Sequence, residues 1–388
     1  MLAPVYSTLP LNIIKASGCS LFDDQGREYL DFYGGHGVIS LGHRNQSWLH
    51  AINQSLSSIP FYTNVLQHPM RDALADKLGK INSGIGYQVF FCNTGAEANE
   101  NALKLAVGHS RRSKVVAVTN SFHGRSSAAW HVTDSVKNAA DLSTGMTVVF
   151  VDANDVNALR AAVTAETAAV IVEAVQGVGG GVELCSKFLR TAESLTKKFG
   201  AFLIADEVQC GWGRTGDFFA FRQAGINPDF ISMAKGMGNG YPVAGLLVTK
   251  KIALKLGELG TTYGGHPTAI AAANSVFEVL GKGAYLAQVR TFSEQVRDHL
   301  KSLHHVKEVR GRGYMLAVKF NRLSASTAKR ILMEEHNIVV GISPKADVIR
   351  LIPPLSMSWS QWSRLIKAIA SLDKKTQKDQ VALHGVSL

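Results

Sequence analysis

No stretch of this chain stays apolar for the ~18 residues that a membrane-crossing helix requires, which argues against a membrane protein. Cysteine is sparse: Cys19, Cys92, Cys185 and Cys210 are scattered, with no C-x-x-C pair. That spacing excludes a zinc ribbon or a disulfide framework and predicts buried, reduced thiols in a cytoplasmic protein. His36, His43 and His123 lack metal-ligand spacing, so no metal is expected and they read as polar packing residues. The N-terminus, Met1-Leu2-Ala3-Pro4-Val5-Tyr6, has neither a charged n-region nor a long apolar segment, so no secretory signal is predicted. Long runs of one charge are also missing. Lys and Arg number 41 against 30 Asp and Glu, a net charge of +11, but the basic residues are dispersed and not interleaved with aromatics. This reads as a solvated basic surface that attracts small anions, not as a nucleic-acid interface.

What is there is a large core. The hydrophobic share is 46% and the charged share 18% over 388 residues, a globular composition with length for roughly two domains. Seven short runs are rich in Val, Ile and Phe: Tyr87–Phe91, Lys114–Thr119, Thr147–Asp152, Ala168–Glu173, Ala201–Val208, Asp229–Ala234 and Ala244–Thr249. They are apolar on both faces, and helical patterns such as Ala96–Val107 separate several of them. Buried strands alternating with helices predict a mostly parallel sheet covered on both sides.

From about Pro267 the pattern changes to long helices, Thr268–Leu280 and Tyr285–Leu303, and then to a smaller mixed region. That region holds strand Tyr314–Phe320, helix Ala325–His336, strand Ile349–Ile352 and helix Trp359–Leu372, with a polar tail from Lys374 expected to be loosely ordered. Near the N-terminus, Cys19–Phe22 and Tyr29–Tyr33 flank an Asp24-Gln25-Gly26 turn and predict a hairpin. The expected organisation is an N-terminal segment (1–50) packing with a C-terminal small domain (281–388), and a large domain over 51–280.

The most informative stretch is Asp229-Phe230-Ile231-Ser232-Met233-Ala234-Lys235-Gly236, an apolar strand that delivers a lysine into a glycine-rich turn. A poorly solvated ammonium has a lowered pKa, and its free amine attacks carbonyls. A second strand ends in Asp206-Glu207. A Schiff-base lysine and an acid to hold a pyridinium nitrogen are what pyridoxal phosphate requires. Phe90-Phe91-Cys92-Asn93-Thr94-Gly95-Ala96-Glu97 is a strand, a small-residue turn and a helix start, a junction suited to phosphate. Ser121-Phe122-His123-Gly124-Arg125 follows another strand and offers a ring to stack and a guanidinium for a carboxylate. Gly211-Trp212-Gly213-Arg214-Thr215-Gly216 matches G-x-G-x-x-G, but Asp206-Glu207 precede it and no helix pattern opens at its third glycine. It reads as a packing loop.

Together with Glu173-Ala174-Val175-Gln176-Gly177, Asp206-Glu207-Val208-Gln209 and Thr261-Thr262-Tyr263-Gly264-Gly265, these motifs occur in the order of the class-III pyridoxal-phosphate aminotransferases. The chain most resembles the acylornithine branch of that family, from the hairpin near residue 20 to Arg350-Leu351-Ile352-Pro353-Pro354. Each motif alone is weak, and the six in order are specific. The resemblance implies an aminotransferase-like α/β fold (type I among pyridoxal-phosphate folds), with a large seven-stranded sheet domain and a smaller α/β domain built from both termini. It implies pyridoxal 5'-phosphate as cofactor, anchored by Lys235, with Asp206 on the ring nitrogen, Phe122 and Val208 on the ring faces and Gln209 at the phenolic oxygen. Gly95 and Ala96 would hold the phosphate, joined by Thr262 of a second subunit in a homodimer. Arg125, Thr261, Glu173 and Arg350 match substrate positions, with Glu173 expected as the counter-ion of Arg350. Ala174 and Val178 depart from the common family pattern, which has Pro and Glu there.

The implied reaction moves the terminal amine of N-acetylornithine, or another N-acylornithine, to 2-oxoglutarate, in arginine biosynthesis. Ornithine and succinylornithine aminotransferases are the alternatives within the family, with 4-aminobutyrate aminotransferase further off. Outside it stand an NAD-linked oxidoreductase built on G-x-G-x-x-G and a non-catalytic basic binding protein.

Overall fold

Runs of Val, Ile, Ala and Phe with no polar face have only one stable place, the middle of a covered sheet, and that is where these residues lie. In the computed structural model, residues 3, 5, 8–81, 85–135 and 145–384 are described, side chains up to 372. The seven strands of the large sheet are β1 (Tyr87–Cys92), β2 (Lys114–Val118), β3 (Thr147–Val151), β4 (Thr167–Val172), β5 (Phe202–Asp206), β6 (Phe230–Met233) and β7 (Ala244–Thr249). Their order is β1-β7-β6-β5-β4-β2-β3. Every strand of β4, β6 and β7 is buried along its whole length.

Neighbouring strands are parallel except at β7, which runs antiparallel to both β6 and β1. The short connection between β6 and β7 explains the reversal. A parallel return needs a crossover of a dozen or more residues, and the segment from Lys235 to Val243 holds only a 3₁₀ turn, Lys235–Met237.

Around the sheet pack helices Gly95–Ser110, Ser186–Phe199 and Pro267–Gly281. Two smaller sheets follow from the ends of the chain. In one, Ile13–Ser17, Ser20–Asp23 and Glu28–Asp31 form an antiparallel meander, and Ile338–Val339 adds in parallel to Glu28–Asp31. In the other, Val306–Arg312, Met315–Phe320, Val348–Leu351 and Gly341–Ser343 are antiparallel. The final helix runs Trp359–His384, past the expected end at Leu372. No glycine or proline interrupts the chain between Leu372 and His384, and Lys, Gln and Ala propagate a helix well. No helix among the described residues is long and apolar enough to cross a membrane. Cys19, Cys92 and Cys210 are buried free thiols, but Cys185 is exposed, contrary to the expectation of burial for all four.

Candidate active site

Parallel strands end on a common edge, and the loops beyond their C-terminal ends form a crevice. Here that crevice is a cavity of about 460 Å³. Gly95 and Ala96 reach it after β1, Phe122 and Arg125 after β2, Asp206 and Val208 from β5, and Lys235 after β6. Four strand ends that are far apart in sequence contribute to one pocket, because each residue ends a strand of the large sheet or lies in the connection that follows one.

The helix N-terminus at Gly95 is closed by a reciprocal cap. Thr94 Oγ1 accepts from Glu97 N at 3.1 Å, and Glu97 Oε2 accepts from Asn93 N at 2.9 Å. This leaves the Gly95 and Ala96 N–H groups, which have no intrahelical acceptor, for an anion. Only glycine fits at position 95: a Cβ there would lie 2.5 Å from Val208 Cγ1. Asn93 Nδ2 also donates to Thr261 Oγ1 at 3.1 Å, which ties Thr261 to the same cap.

Asp206 ends β5 fully buried and held from three directions. His123 Nδ1 and Asn99 Nδ2 each lie 2.7 Å from Oδ2, and Val208 N donates to Oδ1 at 3.0 Å. Asn99 Nδ2 also donates to the His123 carbonyl at 2.8 Å, so the clamp is a closed unit. His123 is therefore more than the packing residue its sequence context indicated, and Asn99 was missed altogether. The available signal was position: His123 follows a strand end, and Asn99 is one turn into the helix that opens at the phosphate junction.

Lys235 lies just past β6, whose Ser232 pairs across the sheet with Asp206. Its backbone is left-handed, φ +44°, a strained conformation for a non-glycine residue that persists where the surroundings impose it. Ser40 Oγ donates to the Gly236 carbonyl at 2.7 Å and holds the turn. Burial pulls the Lys235 ammonium below its ordinary pKa, while Asp206 and Glu173 pull it back up. Among the described residues the side chain of Lys235 has no hydrogen-bond or ion-pair partner.

Thr261, Thr262, Gln209, Glu173 and Arg350 are not among the residues that line this cavity. Thr262 is exposed beyond it. Gln209 Nε2 donates to the His36 carbonyl at 2.8 Å, and its Oε1 accepts from Arg350 Nη2 at 3.2 Å. The expected Glu173–Arg350 ion pair is not formed. Glu173 Oε1 and Oε2 instead accept from Phe122 N and Gly177 N, at 2.9 and 3.2 Å. A buried carboxylate finds backbone N–H donors, here one from its own loop and one from the loop after β2, and sequence spacing cannot anticipate that competition. Burial pushes the Glu173 carboxyl up. Arg350, also buried, has its guanidinium 5.8 Å from the Tyr33 ring centroid. Arg125 is exposed at the rim, 5.9 Å from the Phe122 ring.

The G-x-G-x-x-G loop does not bind a dinucleotide by geometry. Its glycines are tight packing positions: a Cβ at Gly211 would meet the Glu207 carbonyl at 2.6 Å, and one at Gly216 would meet Arg290 Cγ at 2.6 Å. No group of His, Cys, Asp or Glu among the described residues is arranged to hold a metal.

An unpartnered lysine amine, a clamped carboxylate, two free N–H groups at a helix start and an aromatic face within one cavity fit pyridoxal phosphate. His123 Nε2 and Asn99 Oδ1, buried without partners beside Asp206, add polar capacity at the same wall. Fold and site thus define a pyridoxal-phosphate aminotransferase. The class-III aminotransferase family model matches residues 1–372, and the chain belongs to that family. It is 39% identical over 360 residues to an acetylornithine aminotransferase of Bacillus cereus, covering 90% of this chain and 91% of that one. The acetylornithine aminotransferase of Vibrio cholerae is 35% identical over 395 residues, 96% of each chain. Among solved structures, the ornithine aminotransferase of Toxoplasma gondii superimposes with a TM-score of 0.88 at 26% identity, over 96% of this chain and 93% of that one. A transaminase from the marine bacterium Virgibacillus, 24% identical with a TM-score of 0.89, over 98% of this chain and 97% of that one, shares the fold.

Proposed function

We propose that this transaminase takes the terminal amine of N-acetylornithine, or a close N-acylornithine, and passes it to 2-oxoglutarate in arginine biosynthesis. The identity with acetylornithine aminotransferases over nine-tenths of the chain supports the donor. The observation that carries the chemistry is the meeting of a free Lys235 amine with a clamped Asp206 carboxylate in one cavity.

The cofactor, when bound, supplies a carbonyl for Lys235 and a ring that takes up electron density from the substrate carbon. Asp206, fixed by His123 and Asn99, presents its anionic oxygen to a ring nitrogen and favours its protonated form. When not bound to the cofactor, the Lys235 amine would be the base that carries a proton at Nζ, and its lowered pKa suits that task. Gly95 and Ala96 hold the phosphate by N–H groups and the helix dipole. Phe122 and Val208 exclude water from the ring faces.

Arg125, at the rim, is placed for the carboxylate far from the reacting carbon in both half-reactions. Arg350 is the candidate for the carboxylate beside the reacting carbon of glutamate. While the acylornithine is bound, Gln209 and Tyr33 accompany Arg350, so the guanidinium is not left bare.

A homodimer belongs to the same reading. Thr262 is exposed, and near it in sequence Tyr263 is 61% exposed and packs on Phe61, itself 41% exposed. Apolar surface of this kind favours a second copy of the chain. A donor panel of acetylornithine, succinylornithine, ornithine and 4-aminobutyrate with 2-oxoglutarate tests the substrate. The reading predicts the highest kcat/KM for an acylornithine, and a preference for free ornithine or 4-aminobutyrate overturns it.

A further inference from the structure

Arg214, in the loop that resembles a nucleotide fingerprint, is 2% exposed, and no carboxylate pairs with it among the described residues. Asp31 acts on it only at longer range, and burial lowers its pKa to about 10. A bare guanidinium in a core is costly, so its partners must be good ones. All of them are backbone carbonyls. Its Nη1 donates to Pro353 O and, at 3.4 Å, to Tyr314 O, and its Nη2 donates to Gly37 O at 3.4 Å.

These carbonyls belong to segments that build the wall around Arg350. Pro353 lies just past the strand Val348–Leu351, which carries Arg350. Gly37 ends a turn in which Gly34, Gly35, His36 and Gly37 all have left-handed backbones, φ +55° to +77°. That turn presents Tyr33 to Arg350 and the His36 carbonyl to Gln209. The two segments are also sewn together directly, by Ile352 N to Phe32 O at 2.8 Å and Leu355 N to Ser40 O at 2.7 Å. Ser40 in turn holds the Gly236 carbonyl beside Lys235.

We propose that Arg214 is a positioning residue for the carboxylate-binding half of the site: its guanidinium locks the Gly34–Gly37 turn to the strand of Arg350, and so sets where Arg350 meets a substrate carboxylate. It touches neither substrate nor cofactor. This rests on the reading of Arg350 as the carboxylate site for glutamate. Lysine keeps the charge but lacks the planar fork needed to span three carbonyls.

The test is Arg214→Lys, prepared as the cofactor-loaded enzyme. Displacement of a binding group by about 1 Å costs on the order of 10²-fold in rate. The glutamate half-reaction is therefore expected to lose roughly 10²-fold in kcat/KM. Binding of glutarate, a non-reacting dicarboxylate followed by calorimetry, is expected to weaken about tenfold, the loss of a hydrogen bond to a charged group. Cofactor content and borohydride labelling of Lys235 should match the unaltered enzyme. If the unaltered enzyme itself ignores glutamate, the functional reading fails, while the glutarate titration still decides the role of Arg214. A loaded Arg214→Lys enzyme that binds glutarate normally overturns the proposal, as does one that loses cofactor as steeply as glutarate. Should that variant not fold, Gly37→Ala perturbs the same joint without disturbing the buried charge. Its Cβ would lie 3.0 Å from Ile352 Cγ2, and the same selective loss is expected, with normal glutarate binding again overturning the role.

Discussion

His123 Nδ1 lies 2.7 Å from Asp206 Oδ2, with both side chains buried and Asn99 bonded to the same oxygen. The carboxylate therefore cannot rotate away from the cavity, and its charge is oriented before any ligand arrives. Asp206→Asn should keep the fold and much of the cofactor affinity. Its kcat should fall by about 10²–10³-fold, as when a preorganised electrostatic partner is removed. Asn99→Ala, which frees one side of the clamp, should cost about tenfold. A near-normal rate for Asp206→Asn would mean that another group holds the ring nitrogen.

On the proposed reading, Lys235→Ala would remove both the covalent anchor and the proton carrier. Each contributes separately, so turnover should drop by roughly 10⁴-fold or more. Borohydride reduction of the loaded enzyme, followed by peptide mapping, should place the label on Lys235. Label on a different lysine would refute the assignment.

Gly95→Ala should injure the phosphate cradle without touching a charged group. The new methyl would collide with Val208, 2.5 Å away, and overpacking of this kind costs about 1–3 kcal/mol. The expected result is weaker cofactor binding and a lower Tm. Unchanged affinity in an equilibrium titration would place the phosphate elsewhere.

Glu207 gives the chain a pH signature distinct from catalysis. Its carboxylate accepts from Ala220 N and Phe221 N at 2.8 and 3.0 Å. Burial nonetheless pushes its pKa up from an ordinary 4.5 to about 7. A raised carboxyl pKa means that the folded state favours the protonated form. This contribution to stability is full below about pH 4.5 and is lost as pH rises through about 7. Glu207→Gln, which cannot titrate, should lose that part of the pH dependence, visible as a flatter urea midpoint between about pH 5 and about pH 8. It should also be less stable at low pH, because an amide accepts only one of the two N–H bonds.

The sheet was legible because its strands are uninterrupted apolar runs, and all seven lie where those runs predict. The reversal of β7 was not read, although the nine residues from Lys235 to Val243 are too few for a parallel crossover. Lys235 and Asp206 could be read from strand ends. The clamp around Asp206 could not, because Asn99 comes from a helix and His123 from the loop after another strand, and they meet only in three dimensions. The same limit explains Glu173, for which Arg350 was the expected partner, whereas the fold brings Phe122 N and Gly177 N to its carboxylate.

If Thr262 completes the phosphate site of a second copy, dilution should release cofactor and dissociate subunits together. Sedimentation with absorbance detection across a dilution series reads both. A fully loaded, active monomer would exclude the shared site.

The most direct measurement is a single turnover of the loaded enzyme with N-acetylornithine and no oxo acid present. The account predicts one equivalent of the acylated semialdehyde per Lys235 site, none from the Lys235→Ala variant, and glutamate formed stoichiometrically once 2-oxoglutarate is added. If acetylornithine and succinylornithine yield no aldehyde while ornithine or 4-aminobutyrate does, the account is contradicted.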